Sequence, residues 1–96
     1  MYATVRRYEG VTNPSEAARW KNEGFVSLIS QIRGFVAYYW VDAGDGVMIS
    51  TSVFKDQASA EESDRRAADY VQQNLVSLLP NPPQITAGEV VAYKAK

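Results

Sequence analysis

Hydrophobic and polar positions alternate in four stretches of the chain, and this pattern predicts four β-strands. The first is Tyr2–Tyr8, which has the sequence YATVRRY and is rich in residues that favour strands. Phe35–Val41 and Val47–Phe54 follow as a pair joined by DAGDG, whose two glycines supply the positive φ values of a tight turn. Ile85–Tyr93 is the last predicted strand. The two middle strands are therefore expected to form a hairpin.

Between these strands the apolar residues recur every three or four positions, which predicts two amphipathic helices. The first has Asn13 as its N-cap and Pro14 at its first helical position, and it extends to about Gln31. The second begins at an N-cap, Asp56, and is stopped by Pro80. The predicted buried stripes consist of Ala18, Phe25, Leu28, Ile29 and Ile32 on the first helix, and of Ala60, Ala67, Val71, Leu75, Leu78 and Leu79 on the second.

The resulting order is β-α-β-β-α-β, without repeats, linkers or low-complexity segments. This order predicts a single α+β domain over residues 1–96 with a ferredoxin-like fold. In that fold a four-stranded antiparallel sheet carries both helices on one face, and its other face is left uncovered.

Neither face of the predicted hairpin is suited to water. If DAGDG forms a five-residue loop, Val41 lies opposite Val47. One face then holds Phe35, Ala37, Tyr39, Val41, Val47, Ile49, Thr51 and Val53, and the other holds Val36, Tyr38, Trp40, Met48, Ser50, Ser52 and Phe54. Leaving a large apolar side chain exposed forfeits roughly 1.5–3 kcal/mol. We therefore expect the aliphatic face to form a homodimer interface, and the face with aromatic and hydroxyl groups to lie under the helices, where its serines leave room for a pocket.

Composition narrows the possible chemistry. The chain has 96 residues, a formal net charge of −1, and neither cysteine nor histidine. These absences exclude disulfides, thiolate nucleophiles, Ser-His-Asp catalysis, histidine-ligated metals and a haem held by a proximal histidine, so no metal site is expected. The near-neutral charge argues against nucleic acid, and no apolar run reaches the roughly 20 residues of a membrane span. The N-terminus begins as a strand without the apolar core of a secretion signal, which predicts a cytoplasmic protein.

Two stretches of sequence carry a resemblance to a known family. GFVAYY follows the first helix, and STSVFKDQASAEE places an aromatic residue at the end of the third strand, before a polar helix start. With the order of the elements, these stretches resemble the dimeric α-β barrel superfamily, and within it the antibiotic biosynthesis monooxygenase-like proteins. The resemblance spans the whole chain. It implies a homodimer whose two sheets close into a barrel, with a ligand cavity between helices and sheet.

The resemblance also bears on function. Some members of the superfamily oxidise polycyclic aromatic phenols with molecular oxygen and no cofactor, and others degrade haem. The haem-degrading members use an asparagine, a tryptophan and a histidine, whereas the matching positions here are Arg6, Phe54 and a residue near Asn74. Haem degradation is disfavoured by all three departures, and most strongly by the missing histidine.

The resemblance places Arg6 on the helix-side face, where its fixed charge could stabilise a substrate anion, and Tyr38 could orient a substrate hydroxyl group or relay a proton. These two are the candidate catalytic residues. The candidate ligand-binding residues are Trp40, Ser50, Ser52, Phe54, Phe25 and Asn74. Structural roles compete with these functional ones: Arg6 could pair with a helix carboxylate at the sheet margin, Tyr38 and Trp40 could fill the core, and the serines could be ordinary strand residues.

Two functions remain open at this point. The first is a cofactor-free, monooxygenase-like oxidoreductase that acts on a small aromatic or polyketide-like compound. The second is a non-catalytic dimeric protein that binds a small ligand. An enzyme should have a cavity that reaches both Arg6 and Tyr38, whereas in a non-catalytic relative Phe25, Trp40 and Leu75 should fill that space.

Overall fold

A computed structural model describes residues 1–95 of the chain. Its strands are β1 (Tyr2–Tyr8), β2 (Phe35–Gly44), β3 (Val47–Phe54) and β4 (Gln84–Glu89). Its helices are α1 (Pro14–Trp20), α2 (Val26–Ser30) and α3 (Gln57–Asn74), and a π-helical segment (Lys21–Phe25) joins α1 to α2 in one continuous rod. Within residues 1–95 no helix combines the length and the apolar character needed to cross a bilayer.

The four strands form one antiparallel sheet in the order β2-β3-β1-β4. The α1–α2 rod and α3 pack on the same face, which is called the inner face below. The predicted α+β, ferredoxin-like fold is therefore confirmed. Asn13 and Asp56 cap the rod and α3 as predicted, since each side chain accepts a hydrogen bond from the backbone N–H three residues later.

The hairpin is longer than predicted, and its register differs by two residues. Val41 lies opposite Ile49, not opposite Val47 as a five-residue loop would require. The strand continues to Gly44, since Asp45 has a φ of 56° and the next glycine a φ of 77°, the combination that a two-residue turn needs. A shift by an even number of residues leaves each side chain on its predicted face, so the assignment of faces from Ala37 onward survives this error.

Phe35 lies on the face opposite to the predicted one. A bulge between Phe35 and Ala37 places Phe35 opposite Phe54, while Ala37 lies opposite Val53. The Phe35 and Phe54 rings meet edge to face with their centroids 5.7 Å apart, and both belong to the core under the helices. The bulge takes up one residue and so reverses the alternation at the start of β2.

The buried stripe of the first helical rod also differs from the prediction. Ala17 is fully buried where Ala18 was expected, and the stripe continues through Lys21, Phe25 and Ile29 at intervals of four. In a regular α-helix four residues rotate by about 400°, which is about 40° more than a full turn. Residues spaced four apart therefore move gradually around the helix and away from the buried face. The π-helical segment absorbs one extra residue, about 100° of rotation, and so keeps these positions on one side.

Helix α3 ends at Asn74, before the Pro80 expected to stop it, and a further turn buries Leu75 and Leu79. Strand β4 ends at Glu89, whereas the sequence predicts a strand to Tyr93. Glu89 pairs with Tyr2 of β1, and only Met1 precedes Tyr2 in the chain. The Met1 carbonyl accepts a hydrogen bond from the Val90 N–H at 2.9 Å, and the pairing of β4 with β1 ends there.

Candidate functional site

The inner face of the sheet carries a polar band between two apolar clusters. One cluster centres on Phe54 and Phe25, and the other centres on Met48 and Tyr8. Between them, cross-strand neighbours form two rows: Tyr38–Ser52–Thr4 and Trp40–Ser50–Arg6. These six residues are called the polar band below. Such a band is costly beneath two helices, because polar groups removed from water need partners.

Three buried polar atoms of this band lack a hydrogen-bond partner. They are Thr4 Oγ1, Tyr38 Oη and Trp40 Nε1, and no other buried side-chain N or O atom in residues 1–95 is in this state. Ser50 lies near Tyr38, and its hydroxyl group lowers the pKa of Tyr38 slightly. The two hydroxyl groups nevertheless do not have the geometry of a hydrogen bond. A buried group without a partner costs about 1–3 kcal/mol. A water molecule or a ligand group that met one of these atoms would remove its share of that cost.

Arg6 supplies a fixed positive charge at one end of the band. Its side chain is 6 % exposed, and its guanidinium donates to the Asp64 carboxylate on α3, which is 37 % exposed. Arg6 thus pairs with a helix carboxylate, as the structural alternative predicts. It does so from β1, which lies inside the sheet and not at its margin.

Lys21 is a second buried cation above the band, and the sequence pattern does not predict it. The residue is 2 % exposed, and its Nζ lies 4.0 Å from the ring centroid of Phe25, 4.8 Å from that of Trp40 and 5.9 Å from that of Tyr8. Among residues 1–95, no carboxylate lies within ion-pair distance of this Nζ. The ammonium group is therefore surrounded by aromatic faces and lacks a counter-ion.

Burial controls the protonation of these groups. Burial and, as the smaller cause, the nearby Arg6 cation together lower the pKa of Lys21 from 10.5 to about 7. Burial raises the pKa of Tyr38 well above its ordinary value, the neighbouring Tyr8 adds to this rise, and Arg6 opposes it. Burial likewise raises the pKa of Tyr8. Near neutral pH, Tyr38 is thus a hydrogen-bond donor that keeps its proton, while Lys21 exists as both amine and ammonium.

Two pockets reach the polar band from opposite flanks. The Arg6 pocket has a volume of about 370 Å³ and lies between α3, β1, β4 and the loop that precedes β4. It is lined by Arg6, Tyr8, Asp64, Ala67, Ala68, Val71, Gln72, Val76, Leu79, Pro80, Asn81, Pro82, Pro83 and Ile85. The Lys21 pocket has a volume of about 360 Å³ and lies between the helical rod and β2. It is lined by Ser15, Ala18, Arg19, Lys21, Asn22, Val26, Tyr38 and Trp40.

The two candidate catalytic residues belong to different pockets, since Arg6 lines one while Tyr38 and Trp40 line the other. Arg6 and Trp40 flank Ser50 on neighbouring strands, which separates their backbones by about 10 Å. Serine is the smallest side chain of that row. Ser50 therefore leaves the least side-chain bulk between Arg6, which lines one pocket, and Trp40, which lines the other.

The other predicted site residues lie as follows. Ser50 and Ser52 are buried in the centre of the polar band. Phe25 packs edge to face on Tyr38 with ring centroids 5.3 Å apart, and Phe54 is buried in the adjoining apolar cluster, but neither lines a pocket. Asn74 is exposed at the end of α3, where its side-chain amide donates to the Tyr70 carbonyl at 3.1 Å. It lines neither pocket.

Two residues of the site, Lys21 and Asp64, are not predicted from the sequence. Lys21 falls four residues after Ala17 and four before Phe25, so a stripe with a spacing of four would have found it. Asp64 lies beside charged neighbours on α3 and has no such signal, because only the packing of α3 against β1 brings it to Arg6. No group of three or more acidic side chains able to hold a metal ion occurs in the described part of the chain.

No known protein-family model and no curated protein matches the chain in sequence. Its fold, however, matches solved structures. A protein of unknown function from Nitrosomonas europaea, NE2512, superposes with a TM-score of 0.80 at 22 % identity, and the match covers 99 % of this chain and 93 % of that one. The ActVA-Orf6 monooxygenase of Streptomyces coelicolor, solved with the ligand nanaomycin D, gives a TM-score of 0.76 at 16 % identity, covering 99 % and 91 %.

SnoaB, a cofactor-independent oxygenase from Streptomyces nogalater, superposes with a TM-score of 0.66 at 14 % identity, covering 98 % of this chain and 94 % of that one. Sequence identities this low establish a shared fold and nothing finer. At that level the resemblance to antibiotic biosynthesis monooxygenase-like proteins, predicted from the sequence, is confirmed.

Proposed function

We propose that the protein is a cofactor-free, monooxygenase-like enzyme that acts on a small hydroxylated aromatic compound. The observation that carries the proposal is the polar band. Its three unpaired polar atoms and the buried cation of Arg6 lie between the helices and the sheet, and the buried Lys21 lies above them. The rings of Tyr38 and Trp40 line the Lys21 pocket, which suits a flat aromatic ligand, and a hydroxyl or keto oxygen on that ligand could accept hydrogen bonds from Tyr38 Oη and Trp40 Nε1. Two of the matched folds carry oxygenase names, which supports the same reading.

The proposed reaction requires only the substrate and molecular oxygen. In an anthrone-like substrate, the ring methylene para to the keto group would gain one oxygen atom as a carbonyl, while its two hydrogens leave with the second oxygen atom as water. The phenolic tautomer of this substrate forms the reactive phenolate when its hydroxyl group loses its proton. Forming the phenolate makes the ring electron-rich enough to reduce oxygen. Arg6 and Lys21 would stabilise this negative charge, and Tyr38, which keeps its proton, would donate a hydrogen bond to the oxygen of the substrate.

We further propose that the protein acts as a homodimer through the outer face of its sheet. Tyr39 is 61 % exposed and Val41 is 48 % exposed on this face, and Ile49 and Val53 lie beside them in β3. The apolar surface lies on the β2–β3 side, whereas β4 adds Gln84 and small residues. Two copies that pack with these faces together would cover the exposed valine and tyrosine side chains.

Oxygen uptake tests the proposed reaction. The purified protein, treated with a chelator, is mixed with a panel of anthrone-like and quinol-like compounds in an oxygen electrode, and quinone formation is followed by absorbance. We expect one oxygen molecule to be consumed for each quinone formed, above the rate without protein. The protein with Tyr38→Phe should turn over more slowly, while Tyr39→Phe on the outer face serves as the matched control. A panel that binds but consumes no oxygen beyond the blank would refute the enzymatic proposal.

One observation favours a second function, that of a non-catalytic dimeric protein that binds a small ligand. Arg6 and Tyr38 line separate pockets, and Phe25 and Leu75 are fully packed in the core between the helices and the sheet. If Arg6 and Tyr38 are to contact the same substrate, that substrate must extend across Ser50 from one pocket to the other. Binding without oxygen consumption in the same experiment would establish this second function.

A further inference from the structure

Lys21 is placed unusually for a lysine. A side chain with a flexible stem normally extends its ammonium group to water or to a carboxylate. Here the residue is almost fully buried, and its Nζ lies among the rings of Phe25, Trp40 and Tyr8. The π-helical segment that begins at this residue turns it inward, and π-bulges of this kind are frequent at functional sites.

We propose that Lys21 is the proton acceptor of this site, so that a phenolic ligand in the Lys21 pocket is held as its phenolate. The proton passes from the ligand hydroxyl group to the neutral Nζ: one O–H bond breaks, one N–H bond forms, and no electrons are transferred. The inference rests on the proposed function and identifies the residue that would generate the electron-rich anion.

Three features of the structure support this role. Lys21 lines the pocket together with Tyr38 and Trp40, so a ligand bound there contacts all three side chains. The unpaired Tyr38 Oη and Trp40 Nε1 are donors, and both can hold the phenolate oxygen once it has formed. The ring faces favour the ammonium ion that results, since each presents negative charge to it.

The charged and titratable groups around Lys21 leave it free for this role. The carboxylate of Asp64 on α3 is engaged by Arg6, and on the helical rod Glu23 and Glu16 are both engaged by Arg19. The titratable groups packed near Lys21 also include Tyr8 on β1, Tyr38 on β2 and Tyr70 on α3, whose hydroxyl donates to the Trp20 carbonyl. The Arg6 cation on β1 is close enough to lower the pKa of Lys21. A bound phenolate would therefore be the first anion to meet this cation, and its arrival would favour protonation of the lysine.

The experiment uses a coloured hydroxyaromatic compound whose absorbance reports its ionisation, such as a hydroxylated naphthoquinone, at a pH below its own pKa and without oxygen. Full-length wild-type protein should shift the spectrum to that of the phenolate. The Lys21→Met variant keeps the length of the side chain but cannot accept a proton. It should bind the compound about 10–100-fold more weakly, the range expected for loss of a charged hydrogen bond, and should bind it un-ionised. Lys55→Met, at an exposed lysine, is the control and should behave as wild type.

A second measurement keeps the inference testable without any ligand. In protein labelled with ¹³C-lysine, the Cε resonance absent from the Lys21→Met spectrum should titrate near pH 7. A resonance that stays in the ammonium position up to pH 10, ligands that bind un-ionised to the wild type, or equal phenolate shifts in both proteins would each overturn the inference. Phenolate binding without oxygen uptake would support the role of Lys21 as proton acceptor and refute the proposed reaction. Oxygen uptake that survives in the Lys21→Met variant would support the proposed reaction and refute the role of Lys21 as proton acceptor.

Discussion

Replacing Lys21 with methionine should stabilise the protein near neutral pH, and the gain should shrink as the pH rises. Methionine has a similar length and fills the space among the same rings, but it carries no charge. The buried ammonium group is disfavoured in the folded state, because burial lowers the pKa of Lys21 from 10.5 to about 7. Between these two values the unfolded chain binds more protons than the folded one, so the stability of the wild type rises with pH across this window.

The magnitude follows from the two pKa values. Well below pH 7 the full difference corresponds to about 4–5 kcal/mol of destabilisation. The same linkage relation leaves about 4 kcal/mol at pH 7, about 2 kcal/mol at pH 9 and less than about 1 kcal/mol at pH 10. The aromatic faces around Nζ favour the ammonium form and offset part of this cost, so these figures are upper bounds. The pH-dependent part of the difference between the two proteins should therefore reach about 3 kcal/mol.

Urea unfolding followed by tryptophan fluorescence at pH 7, 8, 9 and 10 measures this difference. Both proteins are compared at one concentration, because dimerisation would make their stability depend on it. Other titrating groups contribute equally to both proteins and cancel in the difference. The exposed Lys55→Met variant should differ from wild type by the same small amount at every pH. A difference between wild type and Lys21→Met that stays constant from pH 7 to pH 10 would show that burial does not penalise this ammonium group, and the reasoning would fail.

Three further predictions concern the interface, the helix contact and the ion pair. Ile49→Glu should convert the proposed dimer to monomers in analytical ultracentrifugation while Ile49→Val remains dimeric, because a carboxylate is not tolerated in an apolar interface; a dimeric Ile49→Glu protein would exclude this face. Gly24→Ala should destabilise the protein by about 1–3 kcal/mol in urea unfolding, since its Cβ would lie 2.4 Å from Tyr70 Oη. In a Tyr70→Phe background the same change should cost at least about 1 kcal/mol less, and full additivity would contradict the contact. Asp64→Asn should lower stability by about 1–2 kcal/mol and tighten the binding of anionic aromatic compounds in calorimetry, because it leaves the Arg6 charge unneutralised; unchanged affinity would separate Arg6 from the ligand.

Local patterns predicted most of the elements of the fold, because each depends on residues near in sequence. Asn13 and Asp56 cap the helical rod and α3 through backbone N–H groups three residues away, and β3 has the predicted bounds. The alternation along β3 placed Ser50 and Ser52 correctly on the inner face, since a strand has a period of two whatever its neighbours are. The family resemblance placed Arg6 on the same face, where the structure has it. The error in assigning a face arose where this period breaks, at the bulge beside Phe35.

The candidate site was only partly predictable. Tyr38 and Trp40 stood out because aromatic residues beside serines on a covered face suggest a pocket. Their assignment to one cavity with Arg6 failed, because which residues share a cavity depends on how the helices lie across the sheet. Lys21 was missed because a lysine on an amphipathic helix normally belongs to the polar side, and only a π-helical turn moves this one inward.

The sequence by itself determined the order of the elements, the faces of most strands and the exclusion of cysteine and histidine chemistry. These depend on composition and on short-range backbone geometry, which are properties of the chain alone. The tertiary structure decided that Arg6 is paired with Asp64, that Lys21 lacks a counter-ion and that the polar band has three unpaired atoms. Each of these depends on which distant residues meet across the core, and the charge and hydration of a buried group are set by those neighbours and not by its own place in the sequence.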